Sequence, residues 1–301
     1  MSLALLVTGA GGQLGQAVLH AVAGQRDVFA RGLQRKDLDV TDPFAVRDTV
    51  AEWARIVRSD SPAHQLVVMS CAAYTAVDQA ETDEEAAYAV NAAAPAVLAT
   101  ACAGADVRLI HVSTDYVFAG DATSPYEVDD ATGPRTAYGR SKLAGEQAVL
   151  SLHPSGSQVV RTAWLYGGSG NHFVRTMARL ERTQETVTVV DDQIGSPTWT
   201  GDLAAGLLDL ARSSAPAGTY HATNGGSVSW HGFAQAVFEE LGADPGRVLP
   251  TDTAGFPRPA PRPAYSVLSG KAWESRGLTP LRGWREALHA AFVAEGEAFR
   301  A

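Results

Sequence analysis

The sequence predicts an α/β protein built on a doubly wound parallel sheet of the Rossmann type. Three observations predict it. The chain opens on an uninterrupted apolar run, Leu3-Ala4-Leu5-Leu6-Val7, as a strand buried on both faces requires. A glycine-rich turn follows, Gly9-Ala10-Gly11-Gly12-Gln13-Leu14-Gly15, and leads into a helical repeat of apolar residues at Leu14, Val18, Leu19 and Val22. Through the first half of the chain, runs of strand length then alternate with longer helical patterns, the order that builds βαβ units.

The glycine turn comes first. Its glycines let the backbone approach a pyrophosphate, and the helix behind it offers free N–H groups and a favourable dipole. Gly9, Gly12, Gln13, Leu14 and Gly15 are therefore candidate dinucleotide contacts, on a Gly-x-x-Gly-x-x-Gly spacing rather than the tighter Gly-x-Gly-x-x-Gly. Val28-Phe29-Ala30 reads as a short second strand. No Asp or Glu stands at its end to accept the adenosine ribose hydroxyls. Arg31 stands there instead, then Arg35 and Lys36, which favours NADPH with NADH as the alternative. Asp39 and Val40 precede Asp42-Pro43, an N-cap and first-turn proline for a helix carrying Val46, Val50, Trp53 and Val57. Leu66–Ser70 is a third strand. The small residues Cys71, Ala72 and Ala73, with Tyr74, follow at its carboxyl edge, where a cofactor would lie close.

Thr82–Ala103 reads as one long alanine-rich helix. Val107–Val112 is a fourth strand, followed by Ser113-Thr114-Asp115-Tyr116. In such sheets ligands sit beyond the carboxyl ends of the strands, so the Thr114 hydroxyl is placed for function. Next comes Ala137-Tyr138-Gly139-Arg140-Ser141-Lys142. Four residues apart on a helix, Tyr138 and Lys142 share one face. A neighbouring ammonium favours the phenolate and would lower the tyrosine pKa. Tyr138 is thus a candidate general acid for a carbonyl under reduction.

The later half is more irregular. Gln158–Trp164 is a fifth strand, the Gly167–Gly170 loop follows, and Asn171 is placed to cap a helix over Phe173–Gln184. Val187–Val190 is a short strand, Thr200–Ala211 a helix, Gly218–His221 a returning strand and Trp230–Leu241 a helix. A proline-rich stretch, Thr253–Ala264, holds Arg258 and Arg262. Short helices near Gly270–Arg276 and over Trp284–Arg300 end the chain. The expected division is a dinucleotide-binding domain over 1–170 with a returning segment at about 191–228, and a substrate domain from 171–190 and 229–301.

Composition narrows the function classes. Lys and Arg number 24 against 33 Asp and Glu, a formal net charge of -9, with no basic tail or patch. That speaks against nucleic acid as a partner. The two cysteines, Cys71 and Cys102, lie in apolar runs and read as reduced core residues. No segment reads as a membrane span or a signal peptide, which makes a cytoplasmic protein the expectation. The histidines show no ligand spacing, so no metal is expected.

Several motifs together resemble a known family. They are the glycine loop, Ser113-Thr114-Asp115-Tyr116-Val117-Phe118 and Tyr138-Gly139-x-Ser141-Lys142-Leu143-x-Gly145-Glu146. More discriminating are Ala72-Ala73-Tyr74-Thr75-Ala76-Val77-Asp78-x-Ala80-Glu81, Arg161-Thr162-x-Trp164-x-Tyr166, Asp192-Gln193-x-Gly195-x-Pro197-Thr198 and Arg262-Pro263. This set is similar to the extended short-chain dehydrogenases/reductases, and within them to the dTDP-4-dehydrorhamnose reductases. The resemblance implies NAD(P)H-linked reduction at C4 of a nucleotide-activated 4-keto-6-deoxy sugar. It implies cofactor contacts at Gly12, Gln13, Leu14, Asp39, Val40, Ala72, Ala73, Tyr74 and the backbone near Val112. It implies substrate contacts at Thr114, Asp115 and Trp164, Tyr138 as proton donor, and Lys142 on the nicotinamide ribose. On chemistry rather than motif, Asn171 and Arg262 join as candidates for the substrate diphosphate.

Two departures from the family pattern stand out. The second strand ends in Arg31-Gly32 where many members carry an acid. The first turn of the first helix reads Gln16-Ala17 where some members carry a glutamate that bridges a dimer through magnesium, so a homodimer stays open. Two rivals remain: another sugar-nucleotide enzyme of the same superfamily, such as an epimerase or a ketoreductase of a different deoxysugar, and a non-catalytic subunit that only binds cofactor. Dehydratases need a carboxylate pair after the Ser/Thr, and Asp115-Tyr116 offers one. The joint presence of Thr114, Tyr138 and Lys142 counts against the second rival.

Overall fold

A computed structural model describes residues 2–60 and 64–300. Its centre is a six-stranded, all-parallel sheet. The strands are β1 (Leu3–Thr8), β2 (Val28–Leu33), β3 (Gln65–Ser70), β4 (Arg108–Thr114), β5 (Ser157–Thr162) and the returning Gly218–His221 strand. Their order is β2-β1-β3-β4-β5 with Gly218–His221 on the far edge. The chain goes one way from β1 to β2, then crosses back over β1 to β3. That reversal opens a crevice at the carboxyl ends of β1 and β3.

Both faces of the sheet are covered. Leu3, Leu5 and Val7 pack under helix α1 (Gln13–Val22) and the Thr200–Arg212 helix. Ala4 and Leu6 alternate to the other face, against α2 (Pro43–Asp60), the Ala94–Gly104 helix and the Ala137–Leu152 helix. This explains the continuous apolar run of β1: a period of two with an apolar residue in both phases. Asp42 caps α2 as expected, accepting from the N–H groups of Phe44 and Ala45.

The structure corrects the sequence reading in four places. β2 runs to Leu33, not Ala30, because the edge strand stays paired with β1 through Thr8. Arg31 therefore lies inside the strand, and Gln34, Arg35 and Lys36 stand at its end. Thr114 is the last residue of β4 rather than one beyond it. The expected 82–103 helix spans Glu84–Gly104 with a π-helical turn at Ala89–Ala93. It has the length and apolarity of a membrane span, yet Leu98, Ala99 and Cys102 pack into the core beneath the sheet. Finally, the Phe173–Thr183 helix is capped by His172, whose Nδ1 accepts from the Arg175 N–H; exposed Asn171 sits one residue earlier.

A separate apolar cluster draws nothing from the central sheet. It joins Val174 and Met177, the parallel pair Val187–Val190 and Val248–Thr251, Phe233 and Phe238 of the Trp230–Leu241 helix, and Leu288 and Phe299 of Trp284–Arg300. Trp164, Trp199 and Trp230 border it.

Candidate active site

The glycine loop fits a dinucleotide by its geometry. Gly9 has φ +70°, and a Cβ there would lie 2.5 Å from the Ala72 nitrogen. A Cβ at Gly15 would lie 2.4 Å from the Gly9 carbonyl oxygen. Only glycine lets β1, α1 and the loop after β3 converge this closely. Gln13 opens α1 with its Oε1 buried and without a protein partner, an acceptor at the edge of the cradle. The Gly167–Gly170 loop closes over it: a Cβ at Gly170 would come within 2.9 Å of Gln13 Cγ. The close backbone and the open α1 N-terminus leave room of the kind a pyrophosphate needs.

The adenosine side is less conventional. Asp39 is turned to Thr41, accepting from its N–H and hydroxyl, and those bonds hold its carboxyl below the usual value. Val40 sits beside Ala72 and Ser70 around a small internal cavity of about 10 Å³. Gln34 lies across Gly11, with its Cδ 3.6 Å from where a Gly11 Cβ would be.

The Ala137–Leu152 helix is fixed at its start by three contacts. Thr136 caps it, its Oγ1 accepting from Gly139 N at 2.9 Å, and Glu81 Oε1 accepts from Ala137 N at 2.8 Å. A Cβ at Gly139 would strike the Tyr116 carbonyl at 2.3 Å, so the helix lies directly on the turn after β4. This brings Tyr138 to Thr114. The Thr114 hydroxyl stands close enough to act on the phenol, and the Tyr116 ring meets Tyr138 edge-on at 5.6 Å. Burial pushes the Tyr138 phenol up to about 12, the nearby Thr114 hydroxyl opposing and the Asp115 charge reinforcing.

Lys142 departs from the sequence expectation. Its ammonium is buried and donates to Val112 O at 2.7 Å, with His111 Nε2 at 3.4 Å. It does not figure among the groups that shift Tyr138, so the expected lowering of the phenol is absent. Burial lowers Lys142 itself to about 8, with the Glu146 carboxylate opposing. Glu146 forms a buried two-pronged pair with Arg161 of β5, Nη2 to Oε2 at 2.7 Å and Nε to Oε1 at 3.0 Å. Arg161 in turn stacks over Phe118, so the motif acid braces helix, sheet and the segment after Thr114.

Asp115 faces the same space. Its Oδ1 accepts from the Thr114 hydroxyl at 2.9 Å, while Oδ2 is buried without a partner. Ser266 approaches closely enough to act on the carboxyl, though its Oγ makes no aligned hydrogen bond. Burial raises Asp115 to about 6.

Trp164 and the diphosphate candidates fall as follows. Trp164 has φ +49° and stacks on Trp230 with centroids 3.4 Å apart. A Cβ at Gly195 would lie 2.4 Å from Trp164 Cε2, which accounts for the glycine in that motif. Arg262 Nη2 pairs with Asp78 Oδ1 at 2.9 Å, and Arg258 approaches the same carboxylate at 3.9 Å. Arg262 is thus engaged by Asp78 rather than free, and exposed Asn171 follows Gly170, which packs on Gln13.

Two residues were not legible as site residues in the sequence. Asn91, in the π turn, accepts from Tyr74 N at 2.9 Å and donates to Tyr74 O and to Ser141 Oγ, each at 3.0 Å. It ties the Ala72–Tyr74 loop to the Tyr138 helix. His111 meets Lys142. The available signal was the same in both: one polar residue inside an otherwise apolar or alanine run, where burial demands a partner.

A parallel sheet with its glycine cradle at the switch point, and a Thr–Tyr–Lys set at the carboxyl end of β4, defines the class as an extended short-chain dehydrogenase/reductase. The particular family follows from comparison. The chain belongs to the family described as RmlD substrate binding domain, whose model matches residues 3–296. A dTDP-4-dehydrorhamnose reductase of Mycobacterium tuberculosis is 53% identical over 296 residues, 96% of this chain and 92% of that one. A dTDP-4-keto-6-deoxy-D-glucose reductase of Streptomyces niveus is 45% identical over 95% of this chain and 96% of its own. Among solved structures, the dTDP-4-dehydrorhamnose reductase of Bacillus anthracis in complex with NADP superposes with a TM-score of 0.90 at 37% identity, covering 98% of this chain and all of that one.

Proposed function

We propose that the protein reduces C4 of a dTDP-linked 4-keto-6-deoxy sugar with NADPH, converting dTDP-4-dehydrorhamnose to dTDP-L-rhamnose. The observation that carries the reading is the buried Tyr138 phenol set beside the Thr114 hydroxyl at the carboxyl end of β4, one helical turn from a buried Lys142. The Mycobacterium tuberculosis relative supports the substrate, and the Bacillus anthracis complex supports the cofactor.

NADPH, when bound, supplies the hydride. Gly9, Gly12, Gln13, Leu14 and Gly15 take its pyrophosphate on the α1 N-terminus, Val40, Ala72, Ala73 and Tyr74 flank its adenosine half, and Lys142 binds the nicotinamide ribose. Tyr138 keeps its proton at neutral pH because burial holds the phenol near 12, so it enters the reaction as an acid. It gives that proton to the C4 oxygen as negative charge develops there. The Thr114 hydroxyl, which donates to Asp115 Oδ1 before substrate binds, turns its one hydrogen to the same oxygen. Asp115 Oδ2, buried and unpartnered, accepts from a sugar hydroxyl. Trp164 and Trp230 wall the sugar side, and Arg262, with Asn171, meets the diphosphate. In this scheme residues 1–170 and 191–228 hold cofactor, while 171–190 and 229–301 cover substrate. A cytoplasmic location goes with such a biosynthetic role.

The test is to incubate the protein with NADPH and dTDP-4-dehydrorhamnose, follow the reduced-nicotinamide absorbance, and identify the product by NMR. Turnover to dTDP-L-rhamnose is the expected result. Turnover only with dTDP-4-keto-6-deoxy-D-glucose would move the assignment to the activity named for the Streptomyces niveus relative. Cofactor binding without turnover of either sugar would leave the non-catalytic reading.

A further inference from the structure

We infer that His111 is a positioning residue for Lys142: its neutral imidazole accepts one ammonium N–H at Nε2 and is locked from behind by Ser70 at Nδ1. The inference rests on the reading of Lys142 as the ribose-binding cation. His111 lies in the middle of β4, fully buried, in register with Ser70 of β3. Its Nδ1 is 3.2 Å from Ser70 Oγ and its Nε2 is 3.4 Å from Lys142 Nζ.

Packing gives no reason for an imidazole at this point. The neighbouring residues on the same face of the sheet, Val68, Leu109 and Val159, are apolar and belong to one core cluster. A buried polar ring in such a place is retained at a cost unless both nitrogens find partners. Here both do, and the partners decide the tautomer. An ammonium can only donate, so Nε2 is the acceptor and Nδ1 carries the hydrogen, donating to Ser70 Oγ. Burial and the adjacent ammonium both hold His111 well below the usual histidine value, so it stays neutral and never repels Lys142.

The ammonium has three donors. Val112 O takes one and His111 Nε2 a second, which fixes the rotation of the third. The other ionisable groups facing Lys142 do not supply this. Glu146, one turn along the helix, is engaged by Arg161. The Cys71 thiol at the end of β3 is pushed up to about 12 by burial and stays protonated, as does Tyr138. Among the described residues, the imidazole and one carbonyl are what aim the charge. A hydrogen bond to the charged form favours it in general, so on this inference the contact at 3.4 Å should hold Lys142 protonated to higher pH, which the pH profile reads directly.

The experiment measures NADPH affinity by fluorescence from about pH 6 to about pH 10, a window that spans the Lys142 transition. It compares the wild type with His111→Leu, His111→Gln and Ser70→Ala, each checked by its melting curve. For wild type, affinity should fall as Lys142 loses its proton near 8. In His111→Leu we expect affinity at neutral pH to weaken roughly tenfold and the fall to move about one pH unit lower, the size of one lost charge-assisted hydrogen bond. His111→Gln returns an acceptor and should recover most of both effects. Ser70→Ala frees the tautomer and should show a smaller change of the same sign. A folded His111→Leu with wild-type affinity and an unshifted profile overturns the inference while leaving the reductase reading intact. Equal impairment of the Leu and Gln variants also overturns it, because it would mean shape rather than the acceptor matters. If His111→Leu does not fold, an unshifted Ser70→Ala profile overturns it on its own. Failure of the wild type to bind NADPH at any pH would instead sink the reading of Lys142, and the inference with it.

Discussion

Tyr138 works from a less activated state than its spacing to Lys142 suggests. Burial dominates, and the phenol stands near 12 rather than below its ordinary 10.0. A phenol that holds its proton is still a competent acid toward a developing alkoxide, since that alkoxide is the stronger base. Tyr138→Phe should therefore lower kcat roughly a hundredfold or more, the size of general acid catalysis, and leave NADPH affinity nearly unchanged. Near-normal turnover would mean that another group delivers the proton. Asp115 permits a second prediction, read from stability alone. Its folded value of about 6 lies above the ordinary 3.8, so folding disfavours the carboxylate form. The native state thus loses stability as pH rises from about 4 to about 6, by on the order of 2–3 kcal/mol for a two-unit shift. Asp115→Asn cannot titrate and should show a flatter melting temperature over that window. An equally steep fall in the variant would assign the effect to another group.

At the level of elements, what the sequence made legible was whatever is fixed locally. β1, the glycine loop and the Tyr138 helix are each specified by a run, a turn or a cap within a dozen residues. The end of β2 was misplaced because this edge strand is half exposed and Gly32 imitates a terminator; the pairing of Thr8 with Leu33 that carries the strand on is a tertiary fact. The π turn at Ala89–Ala93 has the same origin. Its extra residue turns Asn91 inward toward Tyr74 and Ser141, and nothing in an alanine-rich run announces that. The turn also explains Gly145, where a Cβ would lie 2.0 Å from Asn91 O. Gly145→Ala should destabilise the protein by about 1–3 kcal/mol, the usual cost of overpacking, and weaken cofactor binding with it. Chemical denaturation checks the first effect and NADPH titration the second. Relocating the end of β2 also relocates cofactor choice. Arg35 and Lys36, beside Gln34 over Gly11, now stand at the strand end, and Asp39 is occupied by Thr41. Arg35→Ala should cut the ratio of kcat/KM for NADPH over NADH several-fold, while Arg31→Ala leaves it little changed. The reverse pattern would restore Arg31 as the phosphate ligand.

Across the whole molecule, two bodies of apolar packing meet over the cleft, one on the sheet and one among Val174, Phe233, Leu288 and their neighbours. Short bridges, Asp121 with Tyr265 and Tyr126 with Leu268, tie the segment after β4 to the one after the proline-rich stretch, and a polar clamp centred on Asp78 holds that stretch itself. Asp78 follows β3 on the cofactor side. It accepts from Arg262 at 2.9 Å and from the Ala260 N–H at 3.3 Å, and it draws Arg258 to 3.9 Å. Both arginines belong to the proline-rich stretch, which has little regular structure of its own to hold it. Arg262 is mostly buried, 18% exposed, so its pair is only partly screened by water, whereas the Arg258 contact is half exposed and contributes little. The clamp therefore fixes the loop at one point. Asp78→Asn removes the charge and keeps most of the shape. It should leave the melting temperature within a few degrees, since the cores are untouched. Hydrogen exchange of the Thr253–Ala264 backbone should rise, and KM for the sugar nucleotide should change more than kcat. If Asp78 competes with substrate for Arg262, KM falls; if the clamp serves to hold the loop in place, KM rises. The partial burial of Arg262 and its second bond to Ala260 O favour the holding role, so a rise in KM is the expected result. Unchanged exchange in the loop together with an unchanged KM would remove Asp78 from any part in substrate binding.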